Sequence, residues 1–173
     1  MPPDLQPTLV GRLLELRPLE AGDFDALYAV ASDPAIWEQH PVADRYKQEV
    51  FKDFFHEALE SRGAFAIIDR ASRRIIGSSR YYGHDAERRE IEIGWTFLAR
   101  AYWGGVYNRE LKQLMLRHAF QFVDRVIFLV GPRNFRSQCA MEKIGGVRAG
   151  MTRREPGGAE SVVFEITRAT FSD

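Results

Sequence analysis

Three strand-like runs stand in the middle of the chain at the spacing of consecutive hairpins, and they constrain everything around them. They are AFAIID (64–69), IIGSSRYYG (75–83) and EIEIGWTFL (90–98), joined by the polar segments DRASRR and HDAERR. Runs rich in β-branched and aromatic residues, separated by short charged turns, read as strands. Helical periodicity brackets them on both sides. Asp23 precedes FDALYAVA, where Phe24, Leu27, Tyr28 and Ala31 recur at helical spacing until Asp33-Pro34 stops the pattern. A second helix fits Tyr46 to Leu59, with Val50, Phe54, Phe55, Ala58 and Leu59 on one face and Gly63 beyond its end. After the runs come an amphipathic helix from about Tyr107 to Val123, the strand VIFLV (126–130) and a helix from about Phe135 to Ile144. The strands VRAGMTRR and SVVFEITR close the chain around the turn EPGGAE, and one strand from Thr8 to Pro18 opens it. Strands in the middle with helices before and after predict an α/β (α+β) fold, one mixed sheet with helices on both faces. Residues 1–8 carry three prolines and read as a loose arm, and residues 9–173 as a single domain without repeat or linker.

Charge and composition then exclude several classes of function. Lys+Arg and Asp+Glu are equal at 24 each, and no basic run stands out, so no nucleic-acid patch is expected. No apolar stretch approaches the roughly 20 residues that span a bilayer, so no membrane partner is expected either. The start MPPDLQPTLVGR lacks a charged and apolar leader, and the single cysteine, Cys139, fits a reducing compartment; both point to the cytoplasm. His40, His56, His84 and His118 show no metal-ligand spacing, and one cysteine cannot build a zinc site, so no metal is expected.

The segment that carries chemistry is FLARAYWGGVYNRELKQLMLRHAFQFV (97–123). A strand ends, Gly104-Gly105 turn the chain, and a helix begins with Leu111, Leu114, Met115, Ala119 and Phe122 on one face. Glycine lets the backbone approach a ligand closely. The first amides of a helix lack internal partners and carry the positive end of its dipole, which suits a phosphate or pyrophosphate. Arg100 and Arg109 flank the turn and can add charge-assisted bonds. A second segment, VGPRNFRSQCAMEKIGG (130–146), offers Asn134 or Ser137 as a helix cap, with Cys139, Ala140, Met141 and Ile144 as an apolar face.

Together these segments resemble the GCN5-related N-acetyltransferase (GNAT) superfamily, and in particular the branch of the ribosomal-protein alanine acetyltransferases. The likeness runs from Leu9 to about Thr167. It includes LRPLEAGDFDALYAVASDP, IEIGWTFLARAYWG and YNRELKQLMLRHAF, and NFRSQCAMEKIGG is similar to that branch's N-x-x-S-x-x-x-x-E-K-x-G signature. The resemblance implies a mostly antiparallel sheet in which two parallel strands, ending near Phe97 and Val130, splay apart around the pantetheine arm of acetyl-CoA. It implies a co-substrate site built from Trp95, Phe97, Leu98, Arg100, Trp103, Gly104, Gly105, Tyr107, Asn108, Arg109, Asn134 and Ser137. Three positions depart from the family pattern. The loop reads Trp103-Gly104-Gly105-Val106 rather than G-x-G or G-x-A, the tyrosine used as general acid is Met141, and Gly146 replaces a phenylalanine.

The implied reaction moves an acetyl group from acetyl-CoA to a primary amine, on a protein N-terminus or a small molecule. It needs a neutral amine, a polarised thioester carbonyl and a proton acceptor. The resemblance places the polarising backbone amide near Trp95–Phe97. Glu90 and Glu92 alternate with Ile91, Ile93 and Trp95, so both share one strand face. Glu92 is the candidate base and Glu90 the second choice; ion pairing with Arg80 or Arg88 is the structural alternative. With Met141 unable to give a proton, Ser137 or a water is left to protonate the thiolate. Trp37 and His40 fall where the family contacts its acceptor. Cys139, on an apolar face without a His partner, reads as packing rather than as a nucleophile. The rival reading is a non-catalytic acyl-CoA-binding or regulatory module of the same fold, and a homodimer is left open.

Overall fold

Pairing along the backbone joins every strand into one eight-stranded sheet, in a computed structural model that describes residues 1–173. The strands are β1 (Leu9–Val10), β2 (Leu14–Pro18), β3 (Ala64–Asp69), β4 (Ile75–Asp85), β5 (Glu90–Leu98), β6 (Arg125–Val130), β7 (Val147–Arg153) and β8 (Glu160–Thr167). Their order is β1-β2-β3-β4-β5-β6-β8-β7, and every neighbouring pair is antiparallel except β5 and β6. The helices are α1 (Phe24–Ala31), α2 (Pro34–Trp37), α3 (Gln48–Ser61), α4 (Val106–Ala119) and α5 (Phe135–Lys143). A parallel pair needs a crossover, and α4 supplies the one between β5 and β6.

Two apolar layers hold the sheet, one on each face. On the first, Leu111, Met115 and Ala119 of α4 pack on Phe65, Ile67, Ile91, Ile93, Phe128 and Phe164. On the second, Leu27 of α1, Trp37 of α2 and Phe51, Phe54 and Phe55 of α3 pack on Ala64, Ala66 and Phe97. Each fully buried side chain of this size contributes about 1.5–3 kcal/mol. Helices on both faces of a mixed sheet are therefore the observed arrangement, as the sequence predicts.

Several boundaries differ from the sequence reading, each for a local reason. The opening strand is two strands, because the chain bends at Gly11–Leu13 around the carboxylate of Glu110. That carboxylate accepts the backbone N–H groups of Arg12, Leu13 and Leu14 at 2.7–2.8 Å. Gly11 is needed there, since a Cβ would lie 2.7 Å from the Glu110 carboxyl carbon. Asp33-Pro34 starts a short helix instead of only ending one: the Asp33 side chain accepts from Ala35 N, and proline fits the first helical turn. The α4 helix stops at Ala119, and Phe120 to Val123 fold into turns on the carbonyls of Leu116, His118 and Ala119.

The Glu110 clamp gives a direct stability test. Glu110→Ala removes three charge-assisted bonds, partly replaced by water, and should cost about 2 kcal/mol. Thermal unfolding should then shift down by about 4–8 °C for a domain of this size. An unchanged Tm would show that the bend is held by other contacts.

Candidate active site

The parallel pairing of β5 with β6 covers only Glu90↔Arg125, Ile91↔Val126 and Glu92↔Ile127. Beyond that point the strands part. The β5 strand also carries a bulge, because Ser79 of β4 faces both Trp95 and Thr96, between the pairs Arg80↔Gly94 and Ser78↔Phe97. Trp95 at the bulge has φ of 52°. An extra residue inverts the alternation after it. Ile91, Ile93 and Leu98 thus belong to the α4 layer, whereas Trp95 and Phe97 belong to the layer of α1–α3. The expectation that Trp95 shares the face of Ile93 is therefore corrected, and Thr96 turns toward α4 instead.

Two cavities of about 380 Å³ each flank this gap. They share Trp37, His40, Thr96, Lys112, Asn134, Ser137 and Met141, so the two spaces meet at that junction. Of the residues proposed from sequence, Phe97, Leu98, Trp103, Gly104, Gly105, Asn108 and Arg109 line one cavity, and Trp95 lines the other. Arg100, Tyr107 and Glu92 line neither. Arg100 pairs with Asp33, Tyr107 packs edge-on against Tyr102, and Glu92 is buried in an ion pair.

The first of these cavities runs up to the start of α4. Gly104 and Gly105 have φ of 111° and 107°, a region that only glycine adopts without strain. No side chain caps the helix, and its first internal bond runs from Arg109 N to Gly105 O. The preceding amides are thus left to face outward with the positive end of the dipole. Trp103 fixes the turn by donating its indole N–H to Leu98 O at 2.9 Å, and the Arg136 guanidinium stacks 3.9 Å above its ring. Arg109, Arg136 and Lys143 line this cavity and no carboxylate does. Val106, the departure from the family loop, is 64% exposed at the rim and does not fill the turn. The arrangement suits an elongated anion with an apolar tail.

Opposite the junction, the second cavity is lined by Arg45 and Arg154, by the carboxylates of Glu155 and Glu160, and by the Trp37 and Trp95 rings. The guanidinium groups of Arg80 and Arg154 lie 4.3 and 4.2 Å from the centre of the Trp95 ring. Glu92 accepts from both terminal nitrogens of Arg154, one bond measuring 2.8 Å. Neither Arg80 nor Arg88 makes that contact, and Glu90 pairs with Arg125. His40 accepts the Val42 N–H on Nδ1 at 3.0 Å, which leaves the proton of a neutral ring on Nε2. Burial, with the charge of Arg45 second, pulls His40 down to about 4, so its ring is neutral at pH 7. Burial likewise pulls the Lys112 ammonium down to about 7.

On α5, Asn134 is the cap, accepting Ser137 N at 3.3 Å. Cys139 is exposed, which corrects its placement on a packing face: the helix turns Gln138 and Met141 inward instead. Sequence reasoning missed Lys112, Thr96 and Arg154. Lys112 had a signal, because it sits on the stripe of Asn108, Met115 and Ala119, where a helix facing a core should be apolar. Arg154 had none, since its partner is 62 residues away.

Comparison with known proteins agrees with this geometry. The sequence matches the acetyltransferase (GNAT) domain family over residues 13–147. A protein from T. thermophilus, solved as an assigned acetyltransferase, is 31% identical, with a TM-score of 0.76 over 98% of this chain and 92% of that one. A GCN5-related N-acetyltransferase from Brucella melitensis superposes with a TM-score of 0.84 at 21% identity, covering 95% of this chain and 80% of that one. Mycobacterium smegmatis RimJ, solved in complex with CoA-disulfide, superposes with a TM-score of 0.73 at 21% identity, covering 98% and 91%. No curated protein matches the sequence.

Proposed function

The chain belongs to the GNAT acetyltransferase family, and from that membership we propose that it moves an acetyl group from acetyl-CoA directly onto an amine. The observation that carries this reading is the parted β5–β6 pair, with an uncapped helix start at one end of the gap and a separate cavity at the other. The amides of Gly105 to Asn108, with Arg109, Arg136 and Lys143, hold the pyrophosphate. The pantetheine arm lies past Leu98 and Ala140 toward the junction. RimJ, a protein of the same fold, is solved with CoA-disulfide, which supports a CoA thioester as the ligand.

The acceptor enters from the cavity of Trp95 and Arg154. Its neutral nitrogen attacks the thioester carbonyl, the carbon becomes tetrahedral, and collapse expels the thiolate. The bulged backbone at Trp95–Phe97 polarises the carbonyl, and Ser137 offers the departing sulfur a hydroxyl hydrogen bond. Trp37 and His40 line the entry of the amine; a ring held near pKa 4 by burial is a weak base, and its acceptor nitrogen is already taken by the Val42 N–H. Glu92 acts through Arg154, holding it against Trp95.

Calorimetry with acetyl-CoA, followed by thiol release against a panel of amines, tests the reading. The panel contains an amino-terminal peptide, a free amino acid, a polyamine and an aminoglycoside. Binding with turnover of one class supports transfer, whereas binding without turnover of any class would favour the non-catalytic module. Direct transfer has its own check. Cys139 lines neither cavity, so Cys139→Ala should keep full turnover, and mass spectrometry should find no acetyl adduct on it after acetyl-CoA alone. An adduct on Cys139 that is lost on adding amine would overturn this.

A further inference from the structure

Lys112 is the group at the junction that neither packing nor pyrophosphate binding explains. Its side chain leaves the second turn of α4 and enters the gap where β5 and β6 part. The residue is 2% exposed, and no carboxylate pairs with it. Its Nζ donates to Thr96 Oγ1 at 2.7 Å, and Thr96 Oγ1 in turn shares a bond of 2.8 Å with Ser79 Oγ. An ammonium carries three N–H groups, so one partner leaves two directions open. The Phe128 ring lies 5.6 Å from Nζ, a weak cation contact. Burying a lysine this way is costly and would be avoided in a helix that only packs.

Resting on the acetyl-transfer reading, we propose that Lys112 is a catalytic residue of this enzyme: as the neutral amine it takes the proton from the attacking nitrogen, and as the ammonium it passes that proton to the departing sulfur. The balance closes within one turnover. The acceptor amine forms a C–N bond to the carbonyl carbon and becomes positively charged. Lys112 removes one proton from that nitrogen, the C–S bond breaks with its electron pair on sulfur, and Lys112 returns the same proton there. The products are an amide and free CoA thiol, with Lys112 unchanged. Met141, which stands where the family pattern has an acid, lines the same junction and has no proton to give.

Electrostatics around Lys112 support this use. The lining side chains of β5 and β6 are neutral, and Ser137 and Met141 of α5 are neutral as well. Farther along the two cavities are Arg109 on its own helix, Arg136 and Lys143 on α5, and His40 and Arg45 after α2. Arg154 and Glu155 after β7 and Glu160 on β8 complete the charged set. None of these contributes to the depression to about 7; burial alone does. A group that titrates there is present in both forms at neutral pH, as a shuttle requires.

The test compares the wild type with Lys112→Met and Lys112→Arg. The chain has four lysines, Lys47, Lys52, Lys112 and Lys143, so ¹³Cε-lysine NMR resolves them one by one. One signal should titrate near neutrality and vanish in Lys112→Met. With acetyl-CoA and the best amine of the panel, Lys112→Met should lose about 100- to 10,000-fold in kcat at pH 7. The rise of kcat with pH through neutrality should disappear, while acetyl-CoA affinity stays within about threefold. Lys112→Arg keeps a donor for Thr96 and a positive charge but cannot release a proton. It should therefore stay as slow as Lys112→Met. Recovery of turnover in Lys112→Arg would make the residue a fixed cation, and an unchanged pH profile in Lys112→Met would remove it from the chemistry. A stable acetyl group on Lys112 after acetyl-CoA alone would make it a dead-end acceptor and overturn the shuttle. A wild type that binds no acetyl-CoA would instead overturn the transfer reading itself.

Discussion

Val106→Asp should weaken acetyl-CoA binding by about 10- to 100-fold while leaving the fold as stable as before or slightly more so. The carboxylate would stand at the first position of α4, beside the amides that hold the pyrophosphate. Two unit charges 5 Å apart repel by about 3 kcal/mol at an effective dielectric of 20, and exposure of the site to water reduces that. What remains, about 1–3 kcal/mol, corresponds to the stated range. For the helix itself the sign reverses: an acidic residue in the first turn stabilises by about 0.3–1 kcal/mol. Loss of affinity by unfolding is thereby separated from loss by repulsion, which Gly104→Asp cannot do, because its φ of 111° strains any other residue. Val106→Asn supplies the neutral control. Calorimetry at low and high salt should show the difference between the two variants shrink as salt rises. Equal acetyl-CoA affinity in Val106→Asp and wild type would move the pyrophosphate away from this helix.

The strands were readable because their patterns are local. In β6 and β8 buried and half-buried residues alternate along the strand, and β3 is buried throughout, so period and apolar content point to the same elements that form. The Gly-Gly turn was readable for the same reason. What alternation could not supply was the bulge. Placing Trp95 by parity from Ile93 fails once Trp95 and Thr96 both oppose Ser79, and that extra residue is fixed by pairing with β4 rather than by anything in EIEIGWTFL. The consequence reaches the site, since the bulge is what turns Thr96 to Lys112 and Trp95 to the arginines. The surroundings of Glu92 lie beyond the same logic. A strand pattern says which face a carboxylate is on, but not that an arginine from beyond β7 will close over it.

That ion pair should respond very unequally to losing one partner or the other. The Glu92 side chain is 6% exposed and that of Arg154 is 39% exposed, so the arginine can turn to water and the carboxylate cannot. Arg154→Met leaves a buried charge with only the field of Arg80 to compensate it, and should cost about 3 kcal/mol. Unfolding should fall by roughly 6–12 °C. Glu92→Gln, which leaves the arginine free to reach solvent, should cost less than half as much, and adding it to Arg154→Met should restore part of the loss. The same pair decides the role of Glu92 in turnover. A base in contact with the reacting amine is worth about 100- to 10,000-fold. Because Glu92 lines neither cavity and both its oxygens face Arg154, Glu92→Gln should slow turnover by less than about tenfold, with no change in its pH dependence. A larger loss that recovers at high pH, where more of the amine is already neutral, would restore Glu92 as the base and reduce Arg154 to its gate.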